Sequence, residues 1–404
     1  MRMPSTDLLI ESETRPTDLL ICFSHLRWNF VYQRPQHLLS RAASNYLVWF
    51  FEEPVFEDMD ALGRLRLSPQ PSGVVVIVPV LKTGSTPEQQ IATQRKLLDE
   101  LLADRSDSRV IAWYYTPMAL KFSAHVTFAA CVYDCMDELS AFDFAPAELT
   151  ELERTLMRRA DVMFTGGHTL YQAKKNLHSN CHAFPSAVDV AHFARARNPA
   201  MVDPADQANI PHPRVGFFGV IDERMNTHLV GELAAARPDL QFVIIGPVVK
   251  IDPATLPQAP NLHWLGAKDY SALPDYLSGW DAAFMPFAIN QATRFISPTK
   301  TPEFLSAGVP VCSTPIRDVV NPYGRDKLVE IATDTATFSD RLDHVLAHAD
   351  DAWLERVDRF LEQISWDETW TRMRTLIDRA AAENADALDL EPRVLAKHTG
   401  SLHV

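Results

Sequence analysis

Continuous apolar runs of strand length alternate with helix-length stretches along nearly the whole chain. In the first half the apolar runs lie at 18–25, 45–54, 73–80, 109–115, 128–135 and 161–167. Runs that are apolar at every position are typical of strands buried on both faces. The stretches between them that predict helices lie at 33–44, 87–105 and 146–160. This order predicts a parallel sheet with helices on both faces.

The pattern pauses at 194–213, a polar segment with several prolines and no periodicity, which we interpret as a linker. It then resumes with apolar runs at 214–221, 241–247, 261–266, 281–287, 309–315 and 328–333. We therefore predict an α/β protein made of two Rossmann-like, doubly wound domains. Ligands of such sheets bind beyond the carboxyl ends of the strands, so the cleft between the domains is the expected site.

The predicted domains are 1–198 and 199–365. A helical pattern runs from Thr337 to about 387, and 388–404 lacks a clear period, which predicts a loose tail.

Composition narrows the functional class. The chain has 404 residues, 47% of them hydrophobic, which is enough for two cores. Its formal net charge of −14 disfavours a nucleic-acid binder. No apolar run reaches transmembrane length and the N-terminus lacks an apolar signal core, so we expect a cytoplasmic protein, with peripheral contact to the inner face of the membrane as an option. The 5 cysteines include no C-x-x-C pair, which favours buried thiols over a zinc site.

The most informative motif is FISPTKTPEFLSAGVPV, which begins at Phe295. Ser297-Pro298 and Thr301-Pro302 each fit a helix start, because proline at the first turn loses no hydrogen bond. With either start, free backbone N–H groups and the positive helix end lie near Lys300, which predicts an anion site. Glu303 then either favours the helix dipole or accepts hydrogen bonds from a sugar diol. A capped helix with a solvated lysine is the structural alternative.

Several segments in a fixed order resemble those of bacterial nucleotide-sugar-dependent glycosyltransferases with two Rossmann domains, the GT-B fold, close to family four. The segments are AFPSAVDVAHF (183–193), RVGFFGVIDERMN (214–226), QFVIIGP (241–247), NLHWLG (261–266), Glu303 with Gly308 and Pro310, and SWDETW (365–370). The resemblance covers most of the chain. It implies that 1–198 is the acceptor-side domain, that 199–365 binds the nucleotide sugar, and that the helix at 366–387 crosses back to the first domain.

The resemblance also implies roles for individual residues. Glu303 would bind the ribose hydroxyls, Lys300 and the 297–299 segment would hold the diphosphate, and the 266–270 loop would face the base. The implied donor-binding residues are Gly219, Arg224, Gly266, Ser297, Pro298, Thr299, Lys300 and Glu303. Two positions depart from the family pattern. The arginine expected after the first loop glycine is Val220, and the glutamate that retaining members carry eight residues before Glu303 is Phe295.

Candidate acceptor-side residues follow the strands of the first half. His25 stands directly after the first strand, where an inverting enzyme can place a general base; a histidine bonded within the turn is the alternative. Arg27, Trp28 and Arg34 crowd the same region and suit contacts with a sugar or phosphate of the acceptor. For these three, the alternative is a capped loop with Trp28 in the core.

Two aspartates follow the strand at 128–135. Asp134 and Asp137 could each serve as the base or orient the acceptor. Their structural alternatives are an ion pair between Asp134 and an arginine, and a turn capped by Asp137.

The sequence thus predicts a hexosyltransferase that uses a nucleotide-diphosphate sugar, with UDP as the expected nucleotide, a glycan or lipid-linked acceptor, and neither metal nor cofactor. A nucleotide-sugar epimerase on the same fold and a catalytically silent sugar-nucleotide binder are the alternatives. Both stereochemical outcomes stay open, since Phe295 replaces the second glutamate.

Overall fold

The computed structural model describes residues 18–105, 108–142 and 145–399. The strands of the first half are β1 (Leu19–Phe23), β2 (Leu47–Phe51), β3 (Val55–Glu57), β4 (Gly63–Pro69), β5 (Val74–Lys82), β6 (Val110–Tyr114), β7 (Ala130–Cys135), β8 (Val162–Thr165) and β9 (Cys181–Ala183). Those of the second half are β10 (Arg214–Phe218), β11 (Gln241–Ile245), β12 (Leu262–Gly266), β13 (Ala282–Met285), β14 (Val311–Ser313) and β15 (Val329–Ile331).

The helices of the first half are α1 (Arg34–Ala42), α2 (Pro87–Leu102), α3 (Leu120–Ser123), α4 (Leu149–Arg159), α5 (His168–Lys174) and α6 (Val190–Phe193). Those of the second half are α7 (Thr227–Ala236), α8 (Leu273–Leu277), α9 (Lys300–Ser306), α10 (Arg317–Val319), α11 (Thr335–His348), α12 (Asp351–Leu361) and α13 (Trp366–Thr399).

The strands form two sheets. Within the described residues, the first follows the order β3-β5-β2-β1-β6-β7-β8-β9, with β4 antiparallel on β5, and the second follows β12-β11-β10-β13-β14-β15. The other strand pairs in both sheets are parallel. This confirms the prediction of two doubly wound α/β sheets in series.

Each sheet is buried on both faces, as its continuous apolar strands predict. One pair of hydrophobic clusters covers the first sheet and another pair covers the second. Alternate residues of β1, for example Leu20 and Ile21, enter opposite clusters of the first pair. Side chains of a strand alternate between faces, so a strand placed between two cores must be apolar throughout.

The long C-terminal helix α13 packs on the first sheet although it follows the second in sequence. Trp366, Trp370, Met373 and Ile377 belong to a core cluster of the first domain. The crossover helix is therefore confirmed. In the segment predicted as a loose tail, α13 continues through 388–399, and 400–404 lie outside the described residues.

Polar contacts join the two domains beside the cleft. The Asp318 carboxylate of the second domain accepts hydrogen bonds from the backbone N–H groups of His168 (2.8 Å) and Thr169 (3.0 Å). The Ser186 hydroxyl donates to the carbonyl oxygen of Ser297 at 2.7 Å. These contacts hold the ends of the two sheets face to face. Across the described part of the chain, the structure contains no helix with the length and hydropathy needed to cross a membrane.

Candidate active site

A cavity of about 410 Å³ lies between the two domains. The first domain contributes the 28–32 loop, which follows β1. The second contributes Gly219 after β10, Gly246 after β11, the 267–270 loop after β12, and α9. Three strand ends of the second sheet therefore converge on one space, as expected for a doubly wound fold. We call this space the donor cavity.

Two glycines let backbone approach this space closely. Gly219 has φ +153° and Gly246 has φ +150°, values that side-chain-bearing residues rarely adopt. A Cβ on Gly246 would overlap the carbonyl oxygen of Gly219, and a Cβ on Gly219 would lie 2.8 Å from Cε of Lys300. The lysine stem thus occupies the room that a side chain at 219 would take.

Lys300 is the first residue of α9 and reaches into the donor cavity. Its ammonium group donates one hydrogen bond, to Oγ1 of Thr299 at 3.3 Å, and lies 5.8 Å from the ring centre of Phe218. Burial lowers the pKa of Lys300; nearby Glu303 opposes this shift and Arg224 adds to it. No ion pair involves Lys300 within the described residues. An anion in the cavity would supply the missing partner.

Glu303 lies one turn further along α9 and is only 5% exposed. Its Oε2 atom is buried and has no hydrogen-bond partner within the described structure. Burial raises the pKa of Glu303 to about 7, with Lys300 acting against the shift. The hydroxyl of Tyr270, which lines the same cavity, is also buried without a partner. Buried polar atoms in native proteins are nearly always paired, so two such atoms beside one cavity indicate a polar ligand.

Tyr270 also connects the two domains. Its ring stacks between Tyr32, at 4.4 Å, and His192, at 4.3 Å between ring centres. Nε2 of His192 lies 3.0 Å from the carbonyl oxygen of Tyr270. The sequence placed the 266–270 loop at the nucleotide base but did not single out Tyr32 or Tyr270. The signal available was an aromatic residue after a strand end, on the side where ligands bind.

The α9 start differs from both sequence alternatives. Thr299 is the N-cap and the helix begins at Lys300, between the two hydroxyl-proline pairs. Pro302 falls in the first turn, where its missing N–H costs nothing. Ser297, Pro298 and Thr299 precede the helix and line a second space of about 110 Å³. We call this space the side cavity; Gly219 and Lys300 line both cavities.

Asp137 lines the side cavity together with 297–299. Burial raises the pKa of Asp137 to about 6, while Arg224 and Arg34 act against the shift. A carboxylate with a pKa near neutrality can both ionise and accept a proton at physiological pH, which suits a general base. Of the three predicted catalytic residues, Asp137 has the most suitable surroundings.

Asp134 and Arg34 pair with each other, as the structural alternative for Asp134 predicted. Nε of Arg34 donates to Oδ2 of Asp134 at 3.0 Å, and a terminal nitrogen donates to Oδ1 at 2.9 Å. The other terminal nitrogen donates to the carbonyl oxygen of Phe184 at 2.8 Å. Both side chains are almost fully buried. Their functional groups are thus occupied, which favours a structural role over acceptor binding or base catalysis.

Arg27 and Trp28 also follow their structural alternatives. Arg27 pairs with Glu52 at 2.9 Å and donates to the carbonyl of Pro54 at 3.2 Å. Trp28 is buried against Phe50, and its backbone N–H donates to Glu52 at 2.8 Å. Trp28 nevertheless forms part of the donor-cavity wall. The loop after β1 is therefore held in place by Glu52, and the indole is a wall rather than an exposed stacking platform.

His25 lines neither the donor cavity nor the side cavity. Burial lowers the pKa of His25 to about 4, and Lys250 adds to the shift. Its Nδ1 atom is buried and has no partner in the described structure. The imidazole is therefore neutral at physiological pH, yet the structure places it outside the spaces where the sugar would react.

Arg224 and Gly266, the two remaining donor-side candidates, differ in their surroundings. Arg224 lines the side cavity and pairs with Asp222 at 2.7 Å. Gly266, at the end of β12, has φ +70° and open space around it, so it shapes the turn toward 267–270. Gly266 itself is outside the donor-cavity lining.

The two departures from the family pattern have different placements. Val220 lines the side cavity, where the family arginine would add a positive charge. Phe295 packs against a hydrophobic cluster of the first domain and lines neither cavity. A carboxylate at 295 would face that apolar cluster. Within the described residues, no group of three or more His, Cys, Asp or Glu side chains is arranged to hold a metal ion.

Solved structures with this architecture cover nearly the whole chain. The chain is similar to the E. coli trehalose-6-phosphate protein bound with UDP-2-fluoro glucose (TM-score 0.64, 11% identity, 90% of this chain and 99% of that chain). It is similar to the alpha,alpha-trehalose-phosphate synthase (UDP-forming) of Burkholderia xenovorans in complex with glucose-6-phosphate (0.65, 12%, 89% and 99%). It is also similar to Anabaena Alr3699/HepE in complex with UDP and glucose (0.61, 13%, 89% and 99%). The protein therefore has the GT-B fold, as the sequence predicted.

Sequence similarity points to the same class. The chain is 26% identical over 239 residues to TuaH of Bacillus subtilis (strain 168), provisionally named a teichuronic acid biosynthesis glycosyltransferase. The match covers 54% of this chain and 59% of TuaH, so it spans somewhat more than half of that relative. No family model matches the chain. The resemblance to two-domain glycosyltransferases is thus confirmed by fold and by sequence.

Proposed function

We propose that this protein is a glycosyltransferase that moves a hexosyl group from a nucleotide-diphosphate sugar, with UDP as the nucleotide, to a glycan or lipid-linked acceptor. One observation carries the proposal. Three groups without partners in the described structure line the donor cavity. They are the Lys300 ammonium, which has no ion-pair partner, and a carboxylate oxygen of Glu303 and the hydroxyl of Tyr270, which have no hydrogen-bond partners. A diphosphate complements the cation, and ribose hydroxyls complement the two oxygens.

The donor is held by the second domain in this proposal. The diphosphate lies against the backbone at Gly219 and Gly246 and pairs with the Lys300 ammonium. The Glu303 carboxylate accepts hydrogen bonds from the ribose hydroxyls, and Tyr270 shares this contact. The base then lies toward the 267–270 loop. Desolvated cations bind a diphosphate more strongly than exposed ones, so the burial of Lys300 favours this role.

The chemical step forms a bond between an acceptor oxygen and the anomeric carbon of the sugar. The bond between that carbon and the β-phosphate oxygen breaks, and the nucleoside diphosphate leaves with its electron pair. Lys300 stabilises the negative charge that develops on the leaving phosphate. The Asp137 carboxylate accepts the proton of the acceptor hydroxyl from the side cavity. No metal takes part in this scheme, which needs only groups from this chain.

The relatives support transfer over the epimerase alternative. TuaH is named a glycosyltransferase, and HepE was solved with UDP and glucose.

The cysteines indicate where the reaction takes place. Five free cysteines, four of them buried, fit a reducing compartment. We therefore place the reaction in the cytoplasm, at the inner face of the membrane for a lipid-linked acceptor.

Calorimetric titration with UDP and a panel of UDP-hexoses tests this proposal, followed by assays of UDP release with glycan and lipid-linked acceptors. We expect UDP to bind and one UDP-hexose to release UDP faster when an acceptor is present. An Asp137→Asn variant should bind the donor normally and release UDP at least about 100-fold more slowly. Absence of binding by every UDP compound would refute the proposal, and conversion of the donor to another sugar isomer would favour the epimerase.

A further inference from the structure

A separate cavity of about 370 Å³ opens on the first domain, at the carboxyl ends of β1 and β2. We call it the apolar pocket. Phe23, Phe51 and Phe122 line it with buried rings, whose centroids lie 5.7, 5.8 and 5.6 Å apart pairwise. Its volume falls within the range of small-molecule sites.

Apolar side chains also form the rim of this pocket. Phe56 from the edge strand β3 is 49% exposed, and Ile91 and Met118 stand on other parts of the rim. A half-exposed aromatic ring at the mouth of an aromatic cavity leaves contiguous apolar surface in water. Such surface is typical of a binding site rather than of scattered exposed residues.

The neutral polar groups of the apolar pocket are engaged within the protein. The Gln90 side chain donates to the carbonyl oxygen of Ser85 at 2.8 Å. The Ser24 hydroxyl accepts from the backbone N–H of Leu26 at 3.0 Å, and the Thr116 hydroxyl accepts from that of Met118 at 3.3 Å. The donor cavity, in contrast, presents unpaired polar atoms. The apolar pocket therefore suits a ligand group that needs no hydrogen bonds.

The charges around the apolar pocket also disfavour an ionic ligand. Glu52 pairs with Arg27 at 2.9 Å, and Lys121 pairs with Glu148 at 2.6 Å. Glu53 adds an exposed carboxylate to the rim. An anionic group would meet that negative charge, and the neighbouring cations already have partners. An uncharged group fits best.

The segment that follows β1 contributes to both the apolar pocket and the donor cavity. Ser24 lines the apolar pocket and Trp28 lines the donor cavity, four residues further along the same loop. Glu52, which also lines the apolar pocket, accepts the hydrogen bond of the Trp28 backbone N–H. Glu52 and the loop after β1 therefore belong to the surroundings of both spaces.

We propose that the apolar pocket binds the uncharged apolar group of the acceptor, an alkyl chain or aryl ring, so that the acceptor is an amphipathic glycoside or alcohol. The link to the acceptor rests on the proposed glycosyl transfer, whereas binding of the apolar group does not. Among the acceptors considered above, the apolar pocket favours an acceptor that carries a lipid or aromatic group and disfavours a free glycan.

The inference is tested with n-octyl β-D-glucopyranoside at concentrations below that at which it forms micelles. Its binding to the protein is measured by ligand-observed NMR. We expect saturable binding, with free glucose binding at least about tenfold more weakly because it lacks the chain. Phe56→Glu should weaken octyl glucoside binding at least about tenfold, and Phe56→Trp should retain it. Leu177→Glu is the matched control, since Leu177 is 58% exposed on the same domain but lies outside the pocket.

Met118→Glu provides a second rim variant if Phe56→Glu does not fold. Non-saturable binding, equal binding of glucose, or equal loss in Leu177→Glu would overturn the inference. UDP titration of the same samples separates it from the proposed function. UDP binding without octyl glucoside binding overturns the pocket alone, whereas octyl glucoside binding without UDP binding overturns the proposed function and leaves the pocket standing.

Discussion

Replacement of Glu303 by alanine separates ligand binding from folding. In the donor-bound state the carboxylate would accept one or two hydrogen bonds from ribose hydroxyls. A hydrogen bond to a charged group contributes about 1.5–3 kcal/mol, so losing one or two should cost about 1.5–6 kcal/mol, or at least about tenfold in the Kd of UDP. The side chain is 5% exposed, so water would replace these bonds poorly.

The same substitution should not destabilise the free protein at alkaline pH. Burial raises the pKa of Glu303 from 4.5 to about 7. A carboxyl whose pKa is raised on folding lowers the free energy of unfolding as pH increases from 4.5 through 7, because folding disfavours its ionised form. Glu303→Ala removes that penalty. The melting temperature at pH 8 should therefore equal or exceed that of the wild type.

Calorimetry with UDP and with uridine, beside thermal melts at pH 8, measures both effects. Glu303→Ala should weaken both ligands, because both carry the ribose. Glu362→Ala is the matched control, an exposed carboxylate at the C-cap of α12 in the same domain, and should change neither quantity. UDP affinity within about twofold of wild type would refute the ribose contact. A large drop in melting temperature would instead indicate a structural role.

Three further substitutions test other groups. Lys300→Ala should weaken UDP at least about tenfold and leave uridine unchanged in calorimetry, because uridine lacks the diphosphate; equal losses would contradict the phosphate contact. Asp137→Asn should lower kcat about 100- to 10,000-fold without affecting the Kd of UDP. The kcat of the wild type should fall as pH decreases through about 6, where Asp137 becomes protonated. A kcat that does not change with pH in this range would exclude Asp137 as the base. Arg34→Ala should lower the free energy of unfolding, measured in urea, by about 3–5 kcal/mol, because it leaves the Asp134 carboxylate buried without its partner. Unchanged stability together with weaker acceptor binding would instead support the hypothesis that Arg34 binds the acceptor.

Much of the fold could be predicted because burial on both faces leaves a direct trace in the sequence. Apolar runs such as 73–80 and 214–221 became β5 and β10, which pair with other strands on both sides. Three short or exposed strands, β3, β4 and β9, were missed. Most residues of β4 are exposed, so its sequence lacks the apolar run that identifies a buried strand. Strand order within each sheet depends on long-range pairing, which a single sequence does not show.

The donor side of the site could be predicted better than the acceptor side. Lys300 and Glu303 lie close together in one motif, so a single helix start brings them to the same cavity. Arg34 and Asp134, in contrast, are separated by 100 residues, and no local pattern shows that they neutralise each other. Tyr270 meets Tyr32 only through the docking of two domains.

A crystal structure of the protein with UDP tests the central claim most directly. We predict that the diphosphate contacts the Lys300 ammonium beside Gly219 and that the ribose hydroxyls lie within hydrogen-bonding distance of Glu303. UDP bound elsewhere on the molecule, or with its ribose away from Glu303 and its diphosphate away from Lys300, would contradict the proposed donor site.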